Sequence, residues 1–275
     1  MKLGFVTCVQ LGLSCMQAIY QAGGALSLAM TLPDDKALAK SGRVFLDDFC
    51  TERQIPLIKS PHVNDAVVIE AIRAAEIDWL FIIGWSQIAG PELLAAPKQG
   101  VLGMHPTLLP QGRGRAAIPW AILKKLDRTG VTLFKLDNGV DTGSIAAQQI
   151  IPLAADETAT TLYTRVDQAH VQIMKDFIPK LLAHQITLLP QDETLATEWP
   201  GRRPEDGQID RTGSVWDAER LVRAVTRPYP GAFYFEGNKK IVVWKATVSE
   251  TEPVEGKFLK FTDGFLLLLD FELQL

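Results

Sequence analysis

Cysteine is scarce in this 275-residue chain: only Cys8, Cys15 and Cys50 occur. Their odd number and the lack of a C-x-x-C pair exclude a disulfide framework or a cysteine zinc site, and free buried thiols are the expectation. An excess of positive charge is also missing, since 28 Lys and Arg stand against 32 Asp and Glu for a net charge of −4. No overall field gathers DNA or tRNA, so no nucleic-acid partner is expected. Long apolar runs are absent: FLLLLDF is strand-sized, and Gln10 and Gln17 interrupt the apolar start. Neither a leader nor a membrane segment is expected, which makes the reading cytoplasmic. The first crossover, VQLGLSC, has no G-x-G-x-x-G, and Ser86 lies in GWSQ rather than G-x-S-x-G. A dinucleotide site and a serine nucleophile therefore have no support, and no metal is expected.

What is present is an alternation. The runs KLGFVTCV, ALSLAMTL and IPLIK are strand-like, and each is followed by an amphipathic segment: LGLSCMQAIYQAGG, SGRVFLDDFCTERQ and NDAVVIEAIRAAEI, the last with Asn64 as its cap. Such alternation implies parallel strands with crossover helices. WLFIIGW suits the middle of the sheet, and GVLGMH is the next strand. AAIPWAILKKL reads as a helix, TGVTLFKL and SIAAQQIIPL as strands, and the stretch from Asp156 as a long helix capped near Asp156 or Thr158. The expected fold is α/β: a Rossmann-like, mostly parallel sheet with helices on both faces over residues 1–189. A Pro-rich linker follows at 190–206, and a small β-rich domain, OB-like or a partial barrel with one helix, occupies 207–275.

Four histidines are present. His62, His170 and His184 have ordinary structural or solvated readings, whereas His105 ends a strand where open α/β sheets bind ligands. Pro106 and Pro110 stiffen its loop. The loop LDNGVDTGS holds two carboxylates; an Asx-turn explains Asp137, while Asp141 is placed to orient an imidazole and stabilise its cation. An imidazole with a carboxylate partner is a suitable base for deprotonating an attacking amine.

The segments HPTLLPQGRGRAAIPWAI, TGVTLFKLDNGVDTG, RPEDGQID and LVRAVTRPYPGAFYFEGNKKIVVWKA resemble the folate-dependent formyltransferases. That resemblance covers most of the chain. It implies N10-formyltetrahydrofolate as donor, His105 in the place of the family's catalytic histidine and Asp141 in that of its aspartate. The pterin would lie against Ile83, Gly84, Trp85, Ser86, Gln87 and Ile88, and against Leu136, Asp137, Asn138, Val140 and Asp141. One departure is plain: the family's N-x-H is Gly103-Met104-His105 here. Loss of one oxyanion donor costs on the order of 10² to 10³ in rate unless it is replaced. Thr107, Gln87, a backbone N–H beside Gly103 or a water are the replacements the sequence offers. Gly103 itself reads as a position of positive φ or close approach.

The family's tRNA enzymes carry a long basic insertion where this chain has the short, charge-balanced PDDKALAKSGRVFLDDF. RGRAAIPWAILKKLDRTGVTL, GRRPEDG and RAVTRPYPGAF are more similar to the nucleotide-sugar N-formyltransferases, including the domain of the 4-amino-arabinose lipid A pathway in lipopolysaccharide synthesis. The acceptor expected from this is a UDP- or dTDP-linked amino sugar. Arg113 or Arg115 and Arg202 or Arg203 would meet its diphosphate, and Tyr229 would stack on its base. A homodimer is what the likeness to the sugar enzymes suggests. The alternatives are a small hydroxylamine acceptor such as N-hydroxyornithine, methionyl-tRNA, or a non-catalytic folate or nucleotide-sugar binding protein.

Overall fold

The alternating runs fold as strands and helices, with one crossover shorter than read. The structure, a computed structural model, describes residues 1–39 and 43–274. Its strands are β1 (Leu3–Val6), β2 (Leu26–Thr31), β3 (Leu57–Lys59), β4 (Trp79–Ile82), β5 (Gly100–His105), β6 (Arg113–Gly114), β7 (Arg128–Lys135), β8 (Ile145–Pro152), β9 (Glu198–Trp199), β10 (Ala232–Glu236), β11 (Lys239–Ser249), β12 (Phe258–Lys260) and β13 (Phe265–Gln274). The helices are α1 (Gln10–Gln21), α2 (Asp47–Glu52), α3 (Ala66–Ala74), α4 (Pro91–Leu94), α5 (Ala117–Leu123), α6 (Ala159–Leu182) and α7 (Val215–Val225).

Seven strands form one sheet in the order β3-β2-β1-β4-β5-β7-β8. The ladders from β3 to β5 are parallel, and β7 runs antiparallel to β5. Every residue of β1 and β4 is buried, which their unbroken apolar sequences require of strands covered on both faces. Phe5 and Phe81 stack across that centre with ring centroids 6.0 Å apart. On one side Val6, Met30, Ile72, Leu80 and Val101 pack together fully or almost fully buried, each such side chain stabilising by roughly 1.5–3 kcal/mol. Strand order reverses between β1 and β4, so the crevice at the carboxyl ends of β1, β4 and β5 is where the sheet leaves room for a ligand.

The late sequence gives an antiparallel half-barrel sheet in the order β10-β11-β13-β12. The expected Gly-Asn and Asp-Gly turns join β10 to β11 and β12 to β13. α7 is capped by Ser214, whose hydroxyl accepts the Trp216 N–H at 3.2 Å. Asp263 in turn accepts from the Ser214 hydroxyl at 2.7 Å and the Val215 N–H at 3.0 Å.

Some details differ from the sequence reading. Asp65, not Asn64, borders α3; the Asn64 side chain instead accepts from Gly90 N–H at 2.7 Å and donates to the Ile88 carbonyl at 2.9 Å. α2 is a six-residue helix rather than a full crossover, and residues 41 and 42 of its expected segment lie outside the described residues. His170 is buried, the structural one of its two readings. The long helix begins after Thr158, which caps it: its hydroxyl accepts the Thr161 N–H at 3.2 Å. The three cysteines are free and buried, and burial pushes the Cys50 thiol up to about 11.

Backbone contacts divide the chain into two compact units. One holds residues 1–113, 130–150 and 167–197, and the other 114–129, 151–166 and 198–275. The expected boundaries, 1–189, 190–206 and 207–275, were continuous in sequence; the units are not, and residues 190–197 of the expected linker fall within the first. Among the described residues no helix is long and apolar enough to cross a membrane, and no group of three or more His, Cys, Asp and Glu side chains is arranged to hold a metal.

Candidate active site

His105 is the last residue of β5, a strand paired on both sides: Gly103 lies opposite Ile82 of β4, and His105 lies opposite Thr132 of β7. Its backbone is fixed by the sheet and its residue is 7% exposed. The loop that follows is bonded at each step. Thr107 N–H donates to the His105 carbonyl at 2.9 Å, and the Thr132 hydroxyl donates to the Thr107 carbonyl at 2.7 Å. Leu109 N–H donates to Thr132 Oγ1 at 3.1 Å, and the Gln148 amide donates to the Leu109 carbonyl at 2.8 Å. The loop then turns so that the Gly112 carbonyl lies 2.8 Å from His105 Nε2.

Asp141 arrives from the loop between β7 and β8. Asp137 Oδ1 accepts from Gly139 N–H at 3.0 Å and the Thr142 hydroxyl at 2.6 Å, the Asx-turn read from the sequence. Gly143 must be glycine, since a Cβ there would stand 1.7 Å from the Lys135 carbonyl oxygen. Asp141 itself has φ of +56°. Its Oδ2 is 3.6 Å from His105 Nδ1, with the two side chains 18% and 10% exposed.

These distances assign the ring's proton. A carbonyl oxygen only accepts, so the 2.8 Å contact with Gly112 puts the proton of neutral His105 on Nε2. Nδ1 then carries the lone pair and faces the Asp141 carboxylate. Nδ1 is thus the ring atom open to a proton, with the Asp141 carboxylate beside it. The pair can serve as a base, with the backbone rather than the carboxylate fixing the tautomer.

Beside it is a cavity of about 190 Å³ whose walls include Ile82, Trp85, Phe134, Leu136 and Val140, with Gly103, Met104 and Asp141 also lining it. Ile88 and Val140, both on its wall, are 79% and 61% exposed, an apolar rim with no protein cover. Of the expected pterin contacts, Trp85, Gln87, Ile88, Leu136, Asp137 and Val140 line the cavity; Ile83, Gly84, Ser86 and Asn138 do not. Ile83 is 1% exposed, and Gly84, at φ of +68°, packs so closely that a Cβ would meet Val9 at 2.4 Å.

Gly103 is explained by close approach and not by positive φ: a Cβ would stand 2.7 Å from Leu136 Cδ2. Leu136 thus takes space that a side chain at 103 would need. Two expected replacements for the missing amide are spoken for or hidden. Gln87 donates to the Pro61 carbonyl at 2.8 Å and accepts from Val63 N–H and Trp85 Nε1. Thr107 is 1% exposed and its hydroxyl makes no hydrogen bond within the described residues.

The arginines divide. Arg113, in the first unit, has a buried guanidinium bonded to Gln191 Oε1 at 2.8 Å and to Glu193 at 2.7 and 2.8 Å, so it is a structural anchor rather than an open diphosphate clamp. The other three lie in the second unit. Arg115 and Arg203 are exposed; Arg202 stacks over Trp120 at 5.1 Å and donates to the Asp206 carbonyl at 2.6 Å. Tyr229, also there, is largely sheltered, and burial with a contribution from Tyr163 pushes its phenol up. Three residues escaped the sequence reading: Gly112, Gln191 and Thr197. Nothing in their local sequence marks them, because their partners lie across the chain: Gln191 Nε2 donates to the carbonyls of Asp141 and Gly143, and Gly112 N–H donates to Thr197 Oγ1.

Residues 33–178 match the family described as Formyl transferase, and residues 202–269 match Formyl transferase, C-terminal domain. Solved structures that share the fold include the following three. Methionyl-tRNA formyltransferase from Clostridium thermocellum is 19% identical with a TM-score of 0.63, covering 100% of this chain and 99% of that one. The N-formyltransferase from Helicobacter canadensis, in complex with folinic acid and dTDP-3-aminofucose, is 18% identical with a TM-score of 0.73 over 99% and 100%. HypX from Aquifex aeolicus, in complex with tetrahydrofolic acid, is 19% identical with a TM-score of 0.68, but the match spans 98% of this chain and 43% of HypX.

Proposed function

Because the chain belongs to the formyl transferase family, we propose that it moves the formyl group of N10-formyltetrahydrofolate to the amine of a nucleotide-linked amino sugar, with His105 as general base and Asp141 as its partner. The observation that carries this reading is the sheltered His105–Asp141 pair set 3.6 Å apart next to an apolar-walled cavity.

The cavity fits the head of the donor. Its Trp85, Phe134, Leu136 and Val140 walls suit a flat bicyclic ring, while its volume of about 190 Å³ is below the roughly 300–1,000 Å³ that encloses a whole drug-sized ligand. The tail of a folate would extend past the exposed Ile88 and Val140. The folinic acid and tetrahydrofolic acid bound by two proteins of the same fold support a folate donor.

The donor supplies an activated one-carbon group. His105 Nδ1 takes the proton that the acceptor amine loses as its new C–N bond forms. Asp141 stabilises the imidazolium, and Gly112 keeps Nε2–H occupied so that the ring does not turn. The proton on Nδ1 is then available to the departing nitrogen. No side-chain amide stands at Gly103, and Leu136 fills the adjoining space. Met104 and Leu136 therefore make that wall apolar, and a backbone N–H or water is left to hold the formyl oxygen.

For the acceptor, the dTDP-3-aminofucose bound by the Helicobacter protein and the exposed Arg115 and Arg203 support a sugar nucleotide. The net charge of −4 weighs against tRNA. Consumption of N10-formyltetrahydrofolate by purified protein across UDP- and dTDP-amino sugars, with N-hydroxyornithine and Met-tRNA as comparisons, tests this. Turnover with a sugar nucleotide alone is expected; preferential turnover with Met-tRNA or the hydroxylamine overturns the acceptor.

A further inference from the structure

The stretch PQDETLAT, residues 190–197, reads as the start of a linker, yet it and Leu189 before it bond to the backbones that carry both members of the candidate pair. Leu189 exchanges two backbone hydrogen bonds with Ile145, at 2.8 and 2.9 Å, just beyond the Asp141 loop. Two residues on, the Gln191 amide donates to the carbonyls of Asp141 at 2.8 Å and Gly143 at 2.7 Å, spanning the backbone on either side of Thr142. Further on, Thr197 Oγ1 accepts the N–H of Gly112 at 2.9 Å, and the Gly112 carbonyl is the partner of His105 Nε2. Arg113 closes the circuit: its N–H donates to the Thr197 carbonyl at 2.9 Å, and its buried guanidinium bonds Gln191 and Glu193.

We infer that residues 189–197 are a clamp that sets the spacing of His105 and Asp141, with Gln191 and Thr197 as positioning residues for formyl transfer; this rests on the function proposed above. Asp141 holds φ of +56°, a left-handed conformation that a non-glycine residue keeps only where its surroundings over-determine it. The Gln191 amide provides that restraint from outside the loop. His105 has its main chain fixed by β5, but its ring is aimed by a carbonyl whose own position depends on Thr197. One segment thus governs both atoms of the 3.6 Å contact. Neither Gln191 nor Thr197 lines the cavity, so their effect falls on turnover and not on donor binding.

Two isosteric changes test the clamp in the full-length protein. Gln191→Glu keeps the oxygen that Arg113 bonds but turns the donor toward two carbonyls into an acceptor. Thr197→Val keeps shape and loses the acceptor for Gly112 N–H, whereas Thr197→Ser retains it. The expected result is a fall in kcat of about tenfold to a hundredfold for Gln191→Glu and Thr197→Val, with KM for the formyl donor within about threefold and Thr197→Ser near wild type. Nitrogen NMR of the His105 ring supplies a second reading without turnover: both damaging variants shift its Nδ1 and Nε2 resonances and Thr197→Ser does not. His105→Ala and Asp141→Asn assayed alongside keep the two ideas apart. If these retain full transfer, the proposed catalytic pair fails and the ring resonances alone judge the clamp. If they lose transfer while Gln191→Glu and Thr197→Val keep wild-type kcat and ring resonances, the clamp is overturned. Should Gln191→Glu not fold, the Val and Ser variants of Thr197 decide between these outcomes.

Discussion

The two loops that deliver the candidate pair are built on opposite plans. The His105 loop is an extension of the sheet: it leaves a strand paired on both sides, His105 itself lies opposite Thr132 of β7, and Thr132 and Gln148, on neighbouring strands, bond the next turns. The Asp141 loop is self-contained at its tip, where an Asx-turn and a glycine without room for a Cβ shape it, and it is tied down by Gln191 from far along the chain. The first plan places a ring by strand register; the second places a carboxylate by turn chemistry plus a remote restraint. The two plans make different residues fragile.

The largest expected effect breaks the Asp141 loop alone. Gly143→Ala puts a Cβ into the Lys135 carbonyl, which also lies one peptide from the ladder bond between Lys135 N–H and the Ser144 carbonyl at 2.9 Å. Transfer should drop by about a hundredfold or more through misplacement of Asp141. Steady-state kinetics with a melting curve checks this, and wild-type turnover would refute the picture of a loop shaped by Gly143. A smaller effect sharpens the His105 side. Gly103→Asn, which writes back the expected amide, should destabilise by about 1–2 kcal/mol because Leu136 Cδ2 stands 2.7 Å from the new Cβ. Adding Leu136→Ala should recover part of that loss. Urea unfolding of the two single variants and the double gives the coupling, and strict additivity would mean that Leu136 does not control the site.

The smallest effect comes from a carboxylate that, unlike Asp141, has no such partner. Asp167 Oδ1 is buried with no hydrogen bond among the described residues, and burial pushes its carboxyl from 3.8 up to about 6. A carboxylate raised in the folded state binds its proton more tightly there. Its stabilising contribution is therefore complete below about pH 4 and is lost as pH rises through 6. Asp167→Asn should raise stability at pH 8 by about 1 kcal/mol, allowing for partial solvent screening, and change little near pH 4. Melting temperatures at the two pH values check this; an equal shift at both would contradict it.

Much of this was legible in the residues. WLFIIGW and GVLGMH could only be sheet strands with buried faces, so the carboxyl end of β5 and hence His105 had to face the crevice. Asp137 and Gly143 marked the turn that lifts Asp141. Position 103 was legible as an anomaly, but its reason was not, because Leu136 is 33 places away and only the β5–β7 register brings it alongside. Arg113 misled for a similar cause: an arginine in a polar QGRGR stretch reads as free to meet a diphosphate, and nothing local says that Gln191 and Glu193 bond its buried guanidinium.

By itself, then, the sequence determined the strand and helix alternation, the half-barrel hairpins, the candidate pair and the likeness to formyltransferases. All of these are encoded in short windows, by hydrophobic period, turn chemistry and motif spacing. The tertiary structure decided which ring nitrogen carries the lone pair, why residue 103 is glycine, and that a stretch read as a linker bonds to both loops of the candidate pair. Those outcomes depend on hydrogen bonds between residues dozens of positions apart, whose pairing exists only once the sheet has set its register.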